Sequence, residues 1–156
     1  MRSLVVAIVL TVCCTLLGCS QTPGAPKFPV TGSVSVNGEP AVGMIIRFHA
    51  RGQGLAGQDA QPAAVADAEG RFKLSSFGNQ DGAAAADYKV TFYWPTNPIL
   101  ASEDRLKGAY ASVEKSPFSV TVTEETTELE PFTLEVEPKE LLPGVDLESI
   151  TPQPNN

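Results

Sequence analysis

The chain has 156 residues, 42% of them hydrophobic, and it carries 18 acidic against 11 basic side chains for a net charge of −7. This length is enough for one domain with its own core. The acidic balance disfavours nucleic acid as a partner, because binding it requires cationic side chains that replace its counterions, and it is typical of a soluble surface.

The first eighteen residues have the pattern of an export signal. A basic Arg2 is followed by an apolar run from Leu4 to Leu17, with no acidic residue in the segment. The run is roughly 14 residues long, whereas a helix needs about 20 to span a membrane. Polar and helix-breaking residues follow directly at positions 20–24. We therefore interpret residues 1–18 as a signal peptide and not as a transmembrane helix.

The signal ends in Leu16-Leu17-Gly18-Cys19. This sequence resembles the lipobox of bacterial lipoproteins. The resemblance implies cleavage of the Gly18–Cys19 bond, a diacylglyceryl thioether on the Cys19 sulfur and further acyl chains such as palmitate, which together anchor a protein stably. The alternative is an ordinary signal peptide with a coincidental cysteine.

Cleavage before Cys19 would change what the mature chain contains. Cys13 and Cys14 would be removed and the Cys19 sulfur alkylated, so no disulfide, thiol nucleophile or cysteine metal site would remain. Loss of Arg2 would leave 10 basic against 18 acidic side chains, a net charge of −8. Residues 19–29, with their small, polar and proline residues, predict a lipidated cysteine and a flexible, semi-extended tether that reaches about 30 Å.

Strand patterns begin at Val30. Alternation puts Val30, Val34 and Val36 on one face of a half-buried strand. Asn37-Gly38 suits a tight turn, because both residue types tolerate positive φ angles. A second strand from Val42 to Phe48 would complete a first hairpin.

The next segment predicts a loop and a second hairpin. Residues 51–61 have little periodicity and are expected to form a long exposed loop. Strands at residues 63–66 and 71–75 flank a turn in which Asp67 can bond the backbone and Gly70 can take the left-handed conformation.

The clearest strand pattern runs from Tyr88 to Trp94, and Pro95 ends it because proline cannot donate to a strand ladder. A long connection, with one helical turn at residues 103–108, leads to two last strands at residues 118–122 and 132–136. Residues 137–156 are acidic and rich in proline and predict a mostly disordered tail. About seven short strands separated by turns predict an all-β sandwich over residues 30–136.

Three stretches of this region share a recurring pattern of a first strand ending in a turn, then a hairpin, then a tyrosine strand. The positions that carry it are Gly32, Val34, Gly38 and Pro40, then Asp67, Gly70 and Phe72, then Tyr88 and Val90. These stretches resemble the transthyretin-like, carboxypeptidase-regulatory-like domains of small bacterial lipoproteins. The resemblance implies a seven-stranded antiparallel Greek-key sandwich of the prealbumin-like type. Ala86 stands where the family usually has glycine before the tyrosine strand.

Catalytic and metal chemistry has little support in the residues. Some transthyretin-like relatives are hydrolases of a purine-breakdown intermediate that use several histidines and a Tyr-Arg-Gly-Ser type ending, whereas this chain has only His49 and ends in Gln153-Pro154-Asn155-Asn156. A lone imidazole supports neither a catalytic triad nor a zinc site. We expect no enzyme activity, no cofactor and no metal. Four acidic residues could bind calcium through their carboxylates, but they lack the spacing of a calcium loop. We interpret them as turn-forming and solubilising. They are Asp67, Glu69, Asp81 and Asp87.

The aromatic residues divide into core and surface candidates. Tyr88, Phe92 and Trp94 share one face at a period of two, so we interpret them as core, with the Tyr88 hydroxyl bonding backbone at a corner. Tyr93 and Tyr110 are the aromatics expected to be exposed and to be possible ligand contacts.

These patterns together favour a non-enzymatic, membrane-anchored envelope lipoprotein whose sandwich serves protein interaction or surface structure. The alternative is a carbohydrate-binding module of the cell surface that uses exposed aromatics. The expected partners are therefore the membrane, through the N-terminal lipid, and an envelope protein or glycan. Ser20 stands where an aspartate often signals inner-membrane retention, so the outer membrane is the expected location in a two-membrane cell.

Overall fold

The computed structural model describes residues 24–97, 102–125 and 128–145. It is a β-sandwich of two four-stranded sheets, with a two-stranded ribbon beside them. The predicted all-β fold is confirmed. The strands are β1 (Lys27–Phe28), β2 (Thr31–Val36), β3 (Glu39–Pro40), β4 (Ile45–Ala50), β5 (Ala63–Val65), β6 (Arg71–Lys73), β7 (Ala83–Ala84), β8 (Ala86–Tyr93), β9 (Ser119–Val122) and β10 (Phe132–Leu134), and the two 3-10 helices are Gly57–Ala60 and Pro138–Glu140.

The first sheet is built around β2. One edge of β2 is shared by two antiparallel strands, with β6 along its first half and β3 along its second half. The other edge pairs with β10, which runs parallel to β2. This pairing departs from the predicted antiparallel arrangement, because the chain reaches β10 by crossing from β9 in the second sheet and not through a hairpin.

The second sheet has the order β5-β4-β8-β9 and is antiparallel throughout. Its inner face meets the first sheet in one apolar core. The rings of Phe48 and Phe92, from β4 and β8, lie 6.5 and 5.3 Å from the ring of Phe132 on β10. Burial of each such side chain stabilises the fold by about 2 kcal/mol.

The first predicted turn is confirmed, but its hairpin is short. Asn37 and Gly38 have φ angles of 53° and 86°, as a tight turn between strands requires. The returning strand β3 ends at Pro40, after two residues of pairing. The chain then crosses between the layers, so the long strand predicted to complete this hairpin, β4, belongs to the second sheet.

The turn of the second predicted hairpin is confirmed, but the predicted pairing of its two strands with each other is wrong. The Asp67 carboxylate accepts the backbone N–H groups of Glu69 and Arg71, and Gly70 has a φ of 74°. A side chain at Gly70 would lie 2.6 Å from the carbonyl oxygen of Val34, which explains the need for glycine. The flanking strands, however, join different sheets, since β5 pairs with β4 and β6 pairs with β2.

Residues 103–108 form hydrogen-bonded turns where one helical turn was predicted. The Asp104 carboxylate organises them by accepting the N–H groups of Trp94, Leu106 and Gly108 at 2.9–3.1 Å. A short polar side chain thus replaces the backbone partners that a helix would have provided.

The beginning of the predicted tail is held against these turns. The backbone of Leu142 exchanges hydrogen bonds of 2.9 Å with the Arg105 carbonyl and the Arg105 Nε. The N–H of Val145 donates to the Thr96 carbonyl at 2.8 Å. Residues 137–145 therefore belong to the folded unit, and residues 146–156 lie outside the described part.

No helix in the described part of the chain has the length and apolar character needed to cross a membrane. The predicted signal peptide, residues 1–18, lies outside that part.

Candidate functional site

The predicted lipidation residue, Cys19, lies outside the described residues, which begin five positions later at Gly24. From there the chain is fixed to the sandwich, although residues 19–29 were predicted to form a flexible tether. Strand β1 pairs with β7, matching Lys27 with Ala84 and Phe28 with Ala83. The predicted flexible tether is therefore wrong for residues 24–29, and residues 19–23 lie outside the described part.

A mostly buried ion pair holds this segment in place. The Lys27 ammonium lies 2.6 Å from Oδ1 of Asp59 and also donates to the Ala25 carbonyl. Oδ2 of Asp59 accepts the Ala25 N–H at 3.1 Å. Asp59 lies in the 3-10 helix of the loop predicted to be exposed, and it is buried because it fixes β1.

The outer face of the second sheet carries a small groove of about 390 Å³. The strand register places Val65, Ile45 and Tyr93 side by side in one row, on β5, β4 and β8. The next row pairs Arg47 with Thr91. The groove therefore has an apolar end and a polar end.

His49 contributes to the polar end. Its Nε2 lies 2.8 Å from Oγ1 of Thr91. The Thr91 hydroxyl donates its own hydrogen to the Arg47 carbonyl at 3.4 Å. The hydroxyl oxygen is therefore the acceptor for the Nε2–H group of His49. Partial burial and the Arg47 charge lower the pKa of His49, while the Glu114 charge works to raise it. The net effect favours the neutral form of the ring. No described carboxylate hydrogen-bonds to it, so the pair lacks the orienting acid of a triad.

A larger groove of about 1010 Å³ lies on the other side of β5, lined by residues that include Val65, Arg71 and Lys73. The Val65 side chain, 62% exposed, lines this larger groove, and its cross-strand neighbour Ile45 lines the smaller one. Arg71 is paired with Glu69 at 2.9 Å. We call the outward-facing residues around this pair the β5 face: Ile45, Arg47, Val65, Lys73 and Tyr93.

The aromatic predictions have mixed outcomes. Tyr88, Phe92 and Trp94 are core residues, as predicted. Tyr93 is half-buried, and its hydroxyl donates to the Ser102 carbonyl. Tyr110 is also half-buried, and its hydroxyl donates to the Glu135 carbonyl at 2.9 Å.

Two of the four acidic residues considered for calcium, Asp67 and Asp81, stabilise turns. Glu69 pairs with Arg71, and Asp87 in β8 accepts the Thr121 hydroxyl. Desolvation works to raise the pKa of Asp67, but hydrogen bonds from the Arg71 and Glu69 N–H groups hold it below the ordinary value. Asp81 likewise accepts the N–H groups of Ser76 and Phe77, and its pKa is lowered despite desolvation. No cluster of three or more potential metal ligands occurs among the described residues.

Two features of the surface were not found from the sequence. Val65 was placed in a strand, but residues 63–66 are all apolar, so no alternation in the sequence showed that its side chain faces outward. The second feature is the stack of the Arg105 guanidinium on Trp94, 3.6 Å from the ring centroid. It joins the start of the long connection after β8 to its middle, and no local pattern predicts it.

No model of a known protein family matches this chain, and a search of curated proteins found no match. The transthyretin-like resemblance therefore stays a prediction.

Proposed function

We propose that this chain is a non-enzymatic lipoprotein of the bacterial cell envelope, anchored by lipid on Cys19, whose β-sandwich contacts another envelope protein through the β5 face. The motif at residues 16–19 supports the anchor. Ser20 favours the outer membrane in a two-membrane cell.

The observation that carries the protein contact is the exposure of Val65 between two cationic flanks. A single exposed valine is ordinary, but here Ile45 and Tyr93 continue the apolar row beside it. Arg47 stands on one side and Lys73 on the other, and neither forms an ion pair with a described residue. An apolar centre with a polar rim is the usual composition of a protein interface.

Charge indicates the chemistry of the partner. The whole chain has a net charge of −7, whereas the β5 face carries two cations, Arg47 and Lys73, and no acidic residue. A partner with an apolar patch flanked by carboxylates would complement the β5 face, and the charges would act mainly on the association rate and on specificity.

A pull-down of envelope proteins with this protein as bait would test the contact. The lipidated protein, solubilised in detergent, should retain a reproducible envelope protein. Val65→Glu should weaken retention about tenfold or more, because the new carboxylate would be desolvated at the centre of the interface and would meet the partner's own carboxylates.

Thr133→Glu is the matched control, because it adds the same charge at an exposed position on β10 in the other sheet. It should leave retention unchanged. Failure of the wild-type protein to retain any partner, or equal retention by the two variants, would contradict the proposed contact.

Carbohydrate binding is the second candidate, and Tyr93 is the observation that favours it. This half-buried ring lines the smaller groove with Arg47 and His49, whose polar atoms suit sugar hydroxyls. The Tyr110 ring, in contrast, packs on Phe92 and Phe118 at 6.4 and 6.1 Å. Glycan-array binding that Tyr93→Ala abolishes would favour this candidate over the protein contact.

A further inference from the structure

One exposed aromatic side chain lies beside the point where the described chain begins. Phe77 is 60% exposed. A side chain built at Gly24 would lie 3.6 Å from Cε2 of the Phe77 ring, and the Lys27 ammonium lies 4.7 Å from the ring centroid. The ring therefore adjoins the segment that leads back to Cys19.

The length of chain between Cys19 and Gly24 limits how far Phe77 can be from a lipid on Cys19. Five residue steps separate the two positions, and a fully extended chain covers at most about 3.6 Å per step, or about 18 Å in total. The fixed β1 segment prevents the domain from moving farther away. An anchor at Cys19 would thus keep Phe77 close to the bilayer surface.

The loop that carries Phe77 suits an apolar contact with lipid. Residues 77–80 are Phe, Gly, Asn and Gln and include no charged side chain. The Asp81 carboxylate accepts the N–H groups of Ser76 and Phe77, so the loop holds the ring in a defined position. The charge of Lys27 is balanced by Asp59, and the Asp81 carboxylate is turned to the backbone N–H groups of the loop.

We propose that Phe77 is a second membrane contact, whose ring enters the headgroup region of the bilayer that holds the lipid on Cys19. Aromatic rings favour this region because it offers both apolar and polar surroundings. The contact would fix which end of the sandwich faces the membrane. This inference rests on the lipid anchor of the proposed function.

Tryptophan quenching in vesicles would test the contact. Phe77→Trp in the full lipidated protein would be reconstituted into phosphatidylcholine vesicles with brominated acyl chains. Trp94 is the only native tryptophan, so the wild-type signal supplies the background. Trp fluorescence at position 77 should fall about twofold or more relative to unbrominated vesicles, because the ring enters the interface.

Val65→Trp is the matched control, since Val65 is 62% exposed and lies on the β5 face. Its fluorescence should be nearly unaffected by bromine. Equal quenching at the two positions, or none at either in protein that floats with the vesicles, would overturn the Phe77 contact and leave the anchor intact. Protein that does not float with the vesicles and carries no lipid by mass would instead overturn the anchor, and the inference with it.

Benzoylphenylalanine, a photo-crosslinking residue, placed at position 77 in living cells would show whether a protein, and not the bilayer, contacts this position. No protein adduct is expected. A reproducible protein adduct would assign the Phe77 surface to a protein partner and overturn the membrane contact.

Discussion

At the scale of single residues, Tyr88 fixes the corner where the ribbon joins the second sheet. Its side chain is fully buried, and its hydroxyl donates to the Ala84 carbonyl at 2.8 Å. Burial, with a smaller contribution from the Asp59 charge, raises the pKa of Tyr88 to about 12. The corner thus depends on a neutral phenol.

Tyr88→Phe should lower the free energy of unfolding by about 1 kcal/mol, because it removes one hydrogen bond and leaves a buried carbonyl without that partner. Urea denaturation at pH 7 would measure the loss. The raised pKa also means that the folded state holds this proton more tightly than the unfolded state. The wild-type protein should therefore lose stability as the pH rises from about 10 through 12, and Tyr88→Phe should lack this part of the loss. If the free energies of unfolding of the wild type and Tyr88→Phe fell in parallel over that pH range, the role of the phenol would be contradicted.

Residue-level prediction succeeded where a side chain's role follows from its own strand. The period of two around Tyr88 identified the core positions of β8. The same rule does not give the outward direction of Val65, because residues 63–66 are all apolar, and it does not predict the two grooves. Those grooves exist because β4, β6 and β8 come together from distant parts of the chain.

At the scale of elements, β1 is a strand of only two residues that fixes the start of the described chain to the sandwich. Two residues of pairing to β7 are too few to hold a strand against water. The Lys27–Asp59 ion pair, with side chains only 15% and 12% exposed, supplies the remaining stability. Removal of one partner would leave the other charge mostly buried.

Asp59→Ala should release the β1 segment without unfolding the sandwich. Hydrogen bonds to charged groups contribute about 2 kcal/mol, so local opening should become about thirtyfold more frequent. Trypsin cleavage after Lys27, followed by mass spectrometry, would measure the opening. Glu69→Ala, which removes an exposed partner of Arg71, should leave that cleavage rate unchanged. Equal rates in the two variants would show that Asp59 does not hold β1.

Elements were predictable from the sequence as far as local patterns reach. Alternation located β2, β4 and β8, and turn residues located Asn37-Gly38 and the turn after β5. Strand partners were not predictable in the same way. Strands β5 and β6 flank one turn, but pairing with β4 and β2 over a shared core stabilises them more than pairing with each other. Strand β1 was missed because two residues show no periodicity.

At the scale of the whole molecule, the fold separates an anchored end from the β5 face. Strand β8 starts directly after β7, at the end where β1 lies, and runs for eight residues to Tyr93. At about 3.3 Å per residue it covers about 26 Å. On the proposed function, Tyr93 would stand farther from the headgroups than the start of β8, where a partner can reach it.

The anchor is the claim on which this arrangement depends. Intact-mass spectrometry of the protein extracted from membranes, compared between the wild type and Cys19→Ser, tests it most directly. The wild-type chain should begin at Cys19 and carry the added mass of a diacylglyceryl group and a further acyl chain, whereas Cys19→Ser should keep residues 1–18 and carry no lipid. A wild-type chain that begins at another residue or has no lipid, or a serine variant that is cut and membrane-bound to the same extent, would contradict it.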